Sequence, residues 1–211
     1  TMANDKYVIN LGRQLGSGGR EIGKKLAAEL GINCYDKELL TLSAKESGLC
    51  QEFFEKADEH TSQSIIGGIF GTRFPFYNDG VMPIGNCLSN ESLFKIQSDV
   101  IRNIAEKESA IFIGRCADYV LRDNPRCVNI FISAKEEYRC ERLMQSNGIS
   151  KDAALEMIEK ADKKRAAYYN YYSYKTWGAA ASYHLCIDSS VLGIDGTIKF
   201  IKEFVKLKVG L

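Results

Sequence analysis

The residues of this chain that could do chemistry begin with a glycine run, Gly16-Ser17-Gly18-Gly19, flanked by Arg13 and Arg20. Where a strand turns into a helix through glycines, backbone N–H groups converge on one point and the helix N-terminus adds partial positive charge. Such a turn can cradle a phosphate. Glycine is needed there because a Cβ would block the close approach of an anion to the backbone. The guanidinium groups of Arg13 and Arg20 add planar forks of donors suited to phosphate oxygens. Glu21, in the first helical turn, suits the helix dipole and needs no functional account. The first expectation is therefore phosphate binding by Arg13, Gly16, Ser17, Gly18, Gly19 and Arg20.

Other residues of interest lie farther along. Arg115 follows the apolar run AIFIG, at the strand end where ligands bind in open α/β sheets. Asp118, one turn on, could orient Arg115 or cap a short helix. Asp36 follows a short strand and could cap a helix beginning at Lys37. Arg139 and Arg142 share one helix face, as do Asp162 and Arg165. Tyrosines 168, 169, 171, 172 and 174 with Trp177 form an aromatic stretch, read as packing because stacking on single-stranded nucleic acid also needs a basic groove.

The elements that must position these groups follow from composition and period. YVINL over 7–11 is a β-prone run, and the segment after the glycines has helical composition, with Ile22, Leu26, Ala27 and Leu30 on one face and Gly31 as its stop. Residues 32–35, 110–113, 128–132 and 185–187 supply four more strands. Of these, AIFI, VNIFI and LCI are apolar on both faces, as strands covered on both sides must be. Helices are expected over 91–107, 135–147, 151–172 and 195–208. Strand and helix alternating in this way imply a parallel sheet. Residues 61–92 hold glycines, prolines and aromatics with almost no charge and read as a long loop.

Bulk properties exclude several classes. The chain has 211 residues, 45% of them apolar, enough for one domain with a sizeable core. Its 28 basic and 27 acidic side chains create no global field to draw nucleic acid or an anionic membrane. Seven cysteines are scattered without a C-x-x-C pair, so reduced thiols are expected and a zinc site is not. No basic segment leads into an apolar signal-like run, and a cytoplasmic setting is expected.

With these residues in place, a resemblance emerges. GSGGREIGKKLAAELG over 16–31 resembles the loop and first helix of cytidylate-type nucleoside monophosphate kinases, which carry GSGK[ST] there. Gly19 stands at that family's lysine position, Arg20 at its Ser/Thr position and Arg13 at its first glycine. Asp36 matches the aspartate that opens the monophosphate region, with Lys37 and Leu42 in place of its other polar residues. Gly114-Arg115 matches a G-R-D segment with Cys116 replacing the aspartate. VNIFISAKEEYRCERL and KADKKR are similar to the lid segments, and LCIDSS to the last strand and its D-[ST]-[ST] turn. SGGREIG and GRCADY most resemble a divergent cytidylate-kinase-like branch.

The resemblance implies a three-layer α/β fold of the P-loop NTPase type: a five-stranded parallel sheet, helices on both faces and a helical lid. It implies a single domain with an acceptor-binding insertion over about 37–107 and a lid over about 139–177. ATP and Mg²⁺ would be the cofactors, with a nucleotide and a small phosphorylated acceptor as partners and no nucleic acid or membrane. Arg20, Arg139, Arg142, Asp162 and Arg165 would form the catalytic set, Asp36, Arg115 and Asp118 the acceptor set, and Ser17 the nearest substitute for the metal-holding hydroxyl. Because the lysine and hydroxyl normally meet the β/γ-phosphates and Mg²⁺, a catalytically impaired nucleotide-binding regulator of the same fold is the alternative. A partner-binding protein using the 168–177 aromatics is a third.

Overall fold

In the computed structural model, residues 6–36 and 90–210 are described. Strand β1 (Val8–Arg13) runs into the glycine turn, helix α1 (Gly19–Leu30) and strand β2 (Asn33–Tyr35). Helix α2 (Asn90–Lys107), strand β3 (Ala110–Ile113), the single-turn helix α3 (Ala117–Val120) and strand β4 (Cys127–Ser133) follow. Helices α4 (Glu136–Asn147) and α5 (Lys151–Ser173), strand β5 (Leu185–Asp188) and helix α6 (Ser189–Val209) complete the order. The helix start expected at Lys37 and most of the 61–92 loop lie outside the described residues; residues 90–92 of that loop open α2.

The five strands form one parallel sheet in the order β2-β3-β1-β4-β5. Both faces are covered, which is why β3 is apolar throughout and β1 and β4 are mostly apolar, with Asn10 of β1 donating to Asn129 of β4. On one face Ile9, Leu11, Ile111, Ile130 and Ile132 meet Ile22 and Leu26 of α1 and Ile198, Ile201 and Val205 of α6. On the other, Val8, Ala110 and Phe112 meet Val100 and Ile101 of α2 and Val120 of α3. Helices α4 and α5 pack on each other through Cys140, Leu143, Ala154 and Ile158. The architecture is the three-layer α/β arrangement expected.

Capping agrees with the residue types. Ser150 Oγ accepts from the Ala153 amide at the start of α5, and Asp188 Oδ1 accepts from the Ser190 amide at 2.8 Å at the start of α6. That helix begins earlier than the 195–208 reading because Gly193, at φ 67° and ψ −179°, breaks it and lets the chain re-enter a helix. The break sets Ile194 against the glycine turn. No described helix is long and apolar enough to cross a membrane.

Candidate active site

The glycine turn sits at the C-terminal end of β1, between α1, α4, α5 and α6. Its backbone is fixed at every step. The Gln14 amide donates to Ile132 O at 3.0 Å, and Gln14 Oε1 accepts from the Ala134 amide. Leu15 donates its amide to Asp162 Oδ1 at 2.8 Å and receives Arg139 Nε on its carbonyl at 2.7 Å, while Arg139 and Asp162 also pair directly. Arg165 Nη1 donates to Arg13 O at 3.2 Å, and Ser189 Oγ donates to Ser17 O at 2.6 Å. Among the described residues, no protein hydrogen bond uses the amides of Gly16 or Gly18, which sit at φ 78° and 79°. They remain available to an anion.

Arg142, on α4, donates to Glu21 Oε2 at 2.9 Å and lies beside Gly18. This pairing, reinforced by Lys25, holds the Glu21 carboxyl below the usual range. Arg20, half exposed, pairs with buried Asp36 across 2.6 Å, linking the first turn of α1 to the end of β2. Arg139 and Asp162, expected in the catalytic set, are braces behind the loop, with the Arg139 side chain only 6% exposed.

Beyond the turn, over the ends of β1 and β3, lies a cavity of about 540 Å³. Arg13, Arg115, Lys164 and Arg165 stand in its wall. After β3 the backbone enters the left-handed region at three successive residues: Gly114 at φ 74°, Arg115 at 62° and Cys116 at 54°. Each of the two non-glycines costs about 1–2 kcal/mol in that conformation. The result is that Arg115 is carried over the Tyr168 ring, 5.1 Å from its centroid. Burial pushes the Tyr168 phenol up to about 12, against the nearby Arg115 charge. Asp118 is buried, accepts from Tyr169 Oη at 2.7 Å and has its carboxyl raised by burial despite that bond and Lys175. Among the described residues it makes no hydrogen bond to Arg115, while the Asp118 and Tyr119 amides at the start of α3 work against the rise.

With turn and cavity located, the comparisons with known proteins decide the lineage. The sequence pattern of the cytidylate kinase-like family matches residues 8–191. The chain belongs to that family. No curated protein matches it. An uncharacterized protein from Eubacterium ventriosum has a similar structure, with a TM-score of 0.72 and 28% identity over 95% of this chain and 99% of its own. Shikimate kinase from Bacteroides thetaiotaomicron is similar at a TM-score of 0.51 and 15% identity, covering 95% of this chain and 98% of that enzyme. Shikimate kinase from Acinetobacter baumannii, solved with shikimate, gives 0.50 and 12% over 95% and 93%. At such identities the likeness shows the P-loop kinase fold.

Relative to the cytidylate-type kinases whose loop this one resembles, its differences have a geometric explanation. A Cβ on Gly19, at the lysine position of those kinases, would lie 2.5 Å from Arg13 Cβ and 3.0 Å from its Cγ. The Arg13 stem thus fills the space that a side chain at 19 would leave by. Its Nη1 reaches Gly114, where an added Cβ would approach within 2.5 Å. Arg13 and the absence of a side chain at Gly19 are thus sterically matched, and the Arg13 guanidinium reaches this space from the end of β1.

Mg²⁺ fits this residue set poorly. Ser17 is fully buried, and its Oγ donates to Gln14 O at 2.8 Å and accepts from the Gly19 amide, so it is turned into the turn itself. No cluster of three His, Cys, Asp or Glu side chains suited to a metal occurs among the described residues. The aromatic stretch packs as expected, ring on ring, and also walls the cavity. Tyr169 is buried, and it lines the cavity together with Tyr168, Tyr171, Tyr172, Trp177 and Phe94. Helical spacing alone cannot tell a face that meets a core from one that meets a cavity. The signal available was the density of tyrosines, whose hydroxyls suit a wet wall better than a dry core.

Proposed function

We propose that this member of the family is an ATP-dependent phosphotransferase that passes the γ-phosphoryl group to a nucleoside monophosphate or another small acceptor. The observation that carries this reading is the exchange at the turn: Arg13 takes the room of a residue-19 side chain and brings its guanidinium between the turn and the cavity. A kinase loop without its lysine therefore still has a cation where two ligands would meet.

In this reading ATP lies on the Gly16 and Gly18 amides, and the acceptor occupies the cavity beside Arg115. An acceptor oxygen attacks the γ-phosphorus in line; the bond to the β-phosphate oxygen breaks, ADP leaves with the electron pair, and the acceptor proton passes to solvent. Arg13, Arg142 and Arg165, with Arg20 at the rim, neutralise the charge spread over the transferring oxygens. Arg139 and Asp162 are positioning residues, since they hold Leu15 and touch neither ligand. Asp36 acts through Arg20, and Asp118 through Tyr169. Mg²⁺ would arrive on the nucleotide phosphates, and no step is assigned to it. A cytoplasmic location belongs to the same reading.

Transfer from labelled ATP across the common nucleoside monophosphates tests it. Arg13→Ala is expected to lower kcat/KM by about 100-fold or more, the scale of a lost transition-state donor. The double variant Arg13→Gly/Gly19→Lys, which reverses the exchange, is expected to recover part of that loss, whereas Gly19→Lys alone is not. ATP binding without transfer to any acceptor would instead favour the impaired regulator, a reading supported by the inward Ser17 hydroxyl and the engagement of Arg20 by Asp36.

A further inference from the structure

The glycine turn contains two peptide units built alike. In Leu15-Gly16 the carbonyl accepts from Arg139 Nε at 2.7 Å, and among the described residues the amide has no protein partner. In Ser17-Gly18 the carbonyl accepts from Ser189 Oγ at 2.6 Å, and the amide is again unpartnered among the described residues. Their neighbours differ. The Gln14 and Leu15 amides donate to Ile132 O and Asp162 Oδ1, and the Ser17 and Gly19 amides donate within the turn, to Gln14 O and Ser17 Oγ. The two amides left for an anion are thus the two whose own carbonyls are held from outside the turn.

A trans peptide is planar, with its C=O and N–H pointing in opposite directions, so a donor that holds the carbonyl also aims the amide. Gly16 and Gly18 sit at positive φ, and glycine's wide conformational freedom leaves the orientation of the peptide before it to be fixed by its contacts. For Leu15-Gly16 the holder is Arg139, the brace already described. For Ser17-Gly18 it is Ser189, the first residue of α6, which is wholly buried. Its single hydroxyl proton faces two carbonyls, Ser17 O at 2.6 Å and Ser133 O of β4 at 3.1 Å, and the shorter contact takes the proton. Ser190 does different work, bonding back to Asp188 in the cap of α6. Among the described residues Ser17 O has no other donor, so loss of the Ser189 hydroxyl leaves a buried carbonyl unpaired and its peptide free to turn.

We infer that Ser189 is a positioning residue that aims the Gly18 amide at a bound phosphate, through the Ser17 carbonyl on the other side of the same peptide. The inference rests on the reading of the turn as the seat of the ATP phosphates, and not on transfer to an acceptor. The start of the last helix, 172 residues beyond the turn, is thereby part of the anion site.

Nuclear magnetic resonance on the isotopically labelled full chain tests this, with ATP as the probe. In the parent, the Gly16 and Gly18 amide signals are both expected to move as ATP is added. In Ser189→Ala the Gly18 displacement at saturation should shrink, while the Gly16 displacement, governed by Arg139, stays. The affinity for ATP should fall about two- to tenfold, the worth of one hydrogen bond. Ser150→Ala, which removes the cap of α5 at a comparable cost in stability, should keep both displacements and the affinity of the parent. Unchanged Gly18 displacement and affinity in Ser189→Ala, equal losses at Gly16 and Gly18, or the same changes in Ser150→Ala overturn the inference. The parent chain supplies a check that does not depend on how a variant folds: the Ser189 hydroxyl proton, held on Ser17 O, should exchange with water slowly enough to be observed. A hydroxyl exchanging as fast as that of an exposed serine overturns the inference as well. If ATP moves neither glycine in the parent, the phosphate reading of the turn falls and the inference with it. The expected glycine pattern without phosphorylation of any acceptor removes the phosphotransferase and leaves the inference standing.

Discussion

Arg139 illustrates how a residue can be recognised from sequence and still be given the wrong neighbourhood. Its spacing from Arg142 was readable, but helical spacing gives only a shared face, and the two guanidinium groups end apart: Arg142 on Glu21 beside Gly18, Arg139 on Asp162 and Leu15 behind the turn. Removing one partner of a buried pair strands the other charge, which costs about 3–5 kcal/mol. Arg139→Ala is therefore expected to unfold by chemical denaturation with a stability loss of that size, and Arg142→Ala, whose pair is partly exposed, with a loss under about 1 kcal/mol. Equal losses would remove the distinction between brace and site residue. Asp118 gives a pH prediction. Burial raises its carboxyl pKa in the folded chain above the ordinary value of 3.8, so the native state holds the proton more tightly than the unfolded one. Its contribution to stability is then fullest below pH 3.8 and is lost as pH rises through the raised value. Asp118→Asn lacks that titration, so its melting temperature relative to the parent chain should climb as pH rises from 3.8 and then level off. A difference that falls over the same range would reverse the sign assigned here.

At the scale of elements, the strands and helices were legible because their patterns are strong: β3 and β4 are apolar on both faces, and the α1 pattern ends in a glycine. What was not legible depends on approach between segments distant in sequence. Nothing in RQLGSGGR says that the Arg13 stem will lie against Gly19, or that α4 will come within contact of Gly16. That second approach makes a prediction. Gly16 and Gly18 both sit at positive φ, so either alanine carries about 1–2 kcal/mol of backbone strain. An alanine Cβ at Gly16 would also lie 2.7 Å from the Arg139 carbonyl oxygen, with Cβ and Cα of Arg139 within 3.0 Å, and helix backbone cannot yield cheaply. At Gly18 the closest atom is Ile194 Cδ1 at 2.3 Å, the far end of a flexible side chain. Gly16→Ala should accordingly lower the unfolding temperature more than Gly18→Ala. The opposite order would mean that α4 does not press on the turn as described.

Considered as a whole, the molecule converges its helices on one short turn: Leu15 is held from α4 and α5, Arg13 O from α5, and Ser17 O from the start of α6. A ligand on that turn is thus coupled to the packing of three helices and the sheet, and its binding energy should appear as global stability. For a ligand present at about 100 times its dissociation constant the gain is about 2.7 kcal/mol. In a chain of this size that corresponds to a rise of about 5–10 °C in unfolding temperature. Arg13 separates a generic stabilisation from one that uses the exchanged cation. Its backbone carbonyl, not its side chain, accepts the bond from Arg165, so Arg13→Ala keeps that brace of the turn while removing the stem and the guanidinium. Scanning calorimetry, with each chain referred to its own unfolding temperature without nucleotide, should then give the variant a much smaller rise when ATP is added. If the rise is the same in both chains, the cation from the end of β1 does not meet the nucleotide, and the steric match of Arg13 and Gly19 is a matter of packing alone.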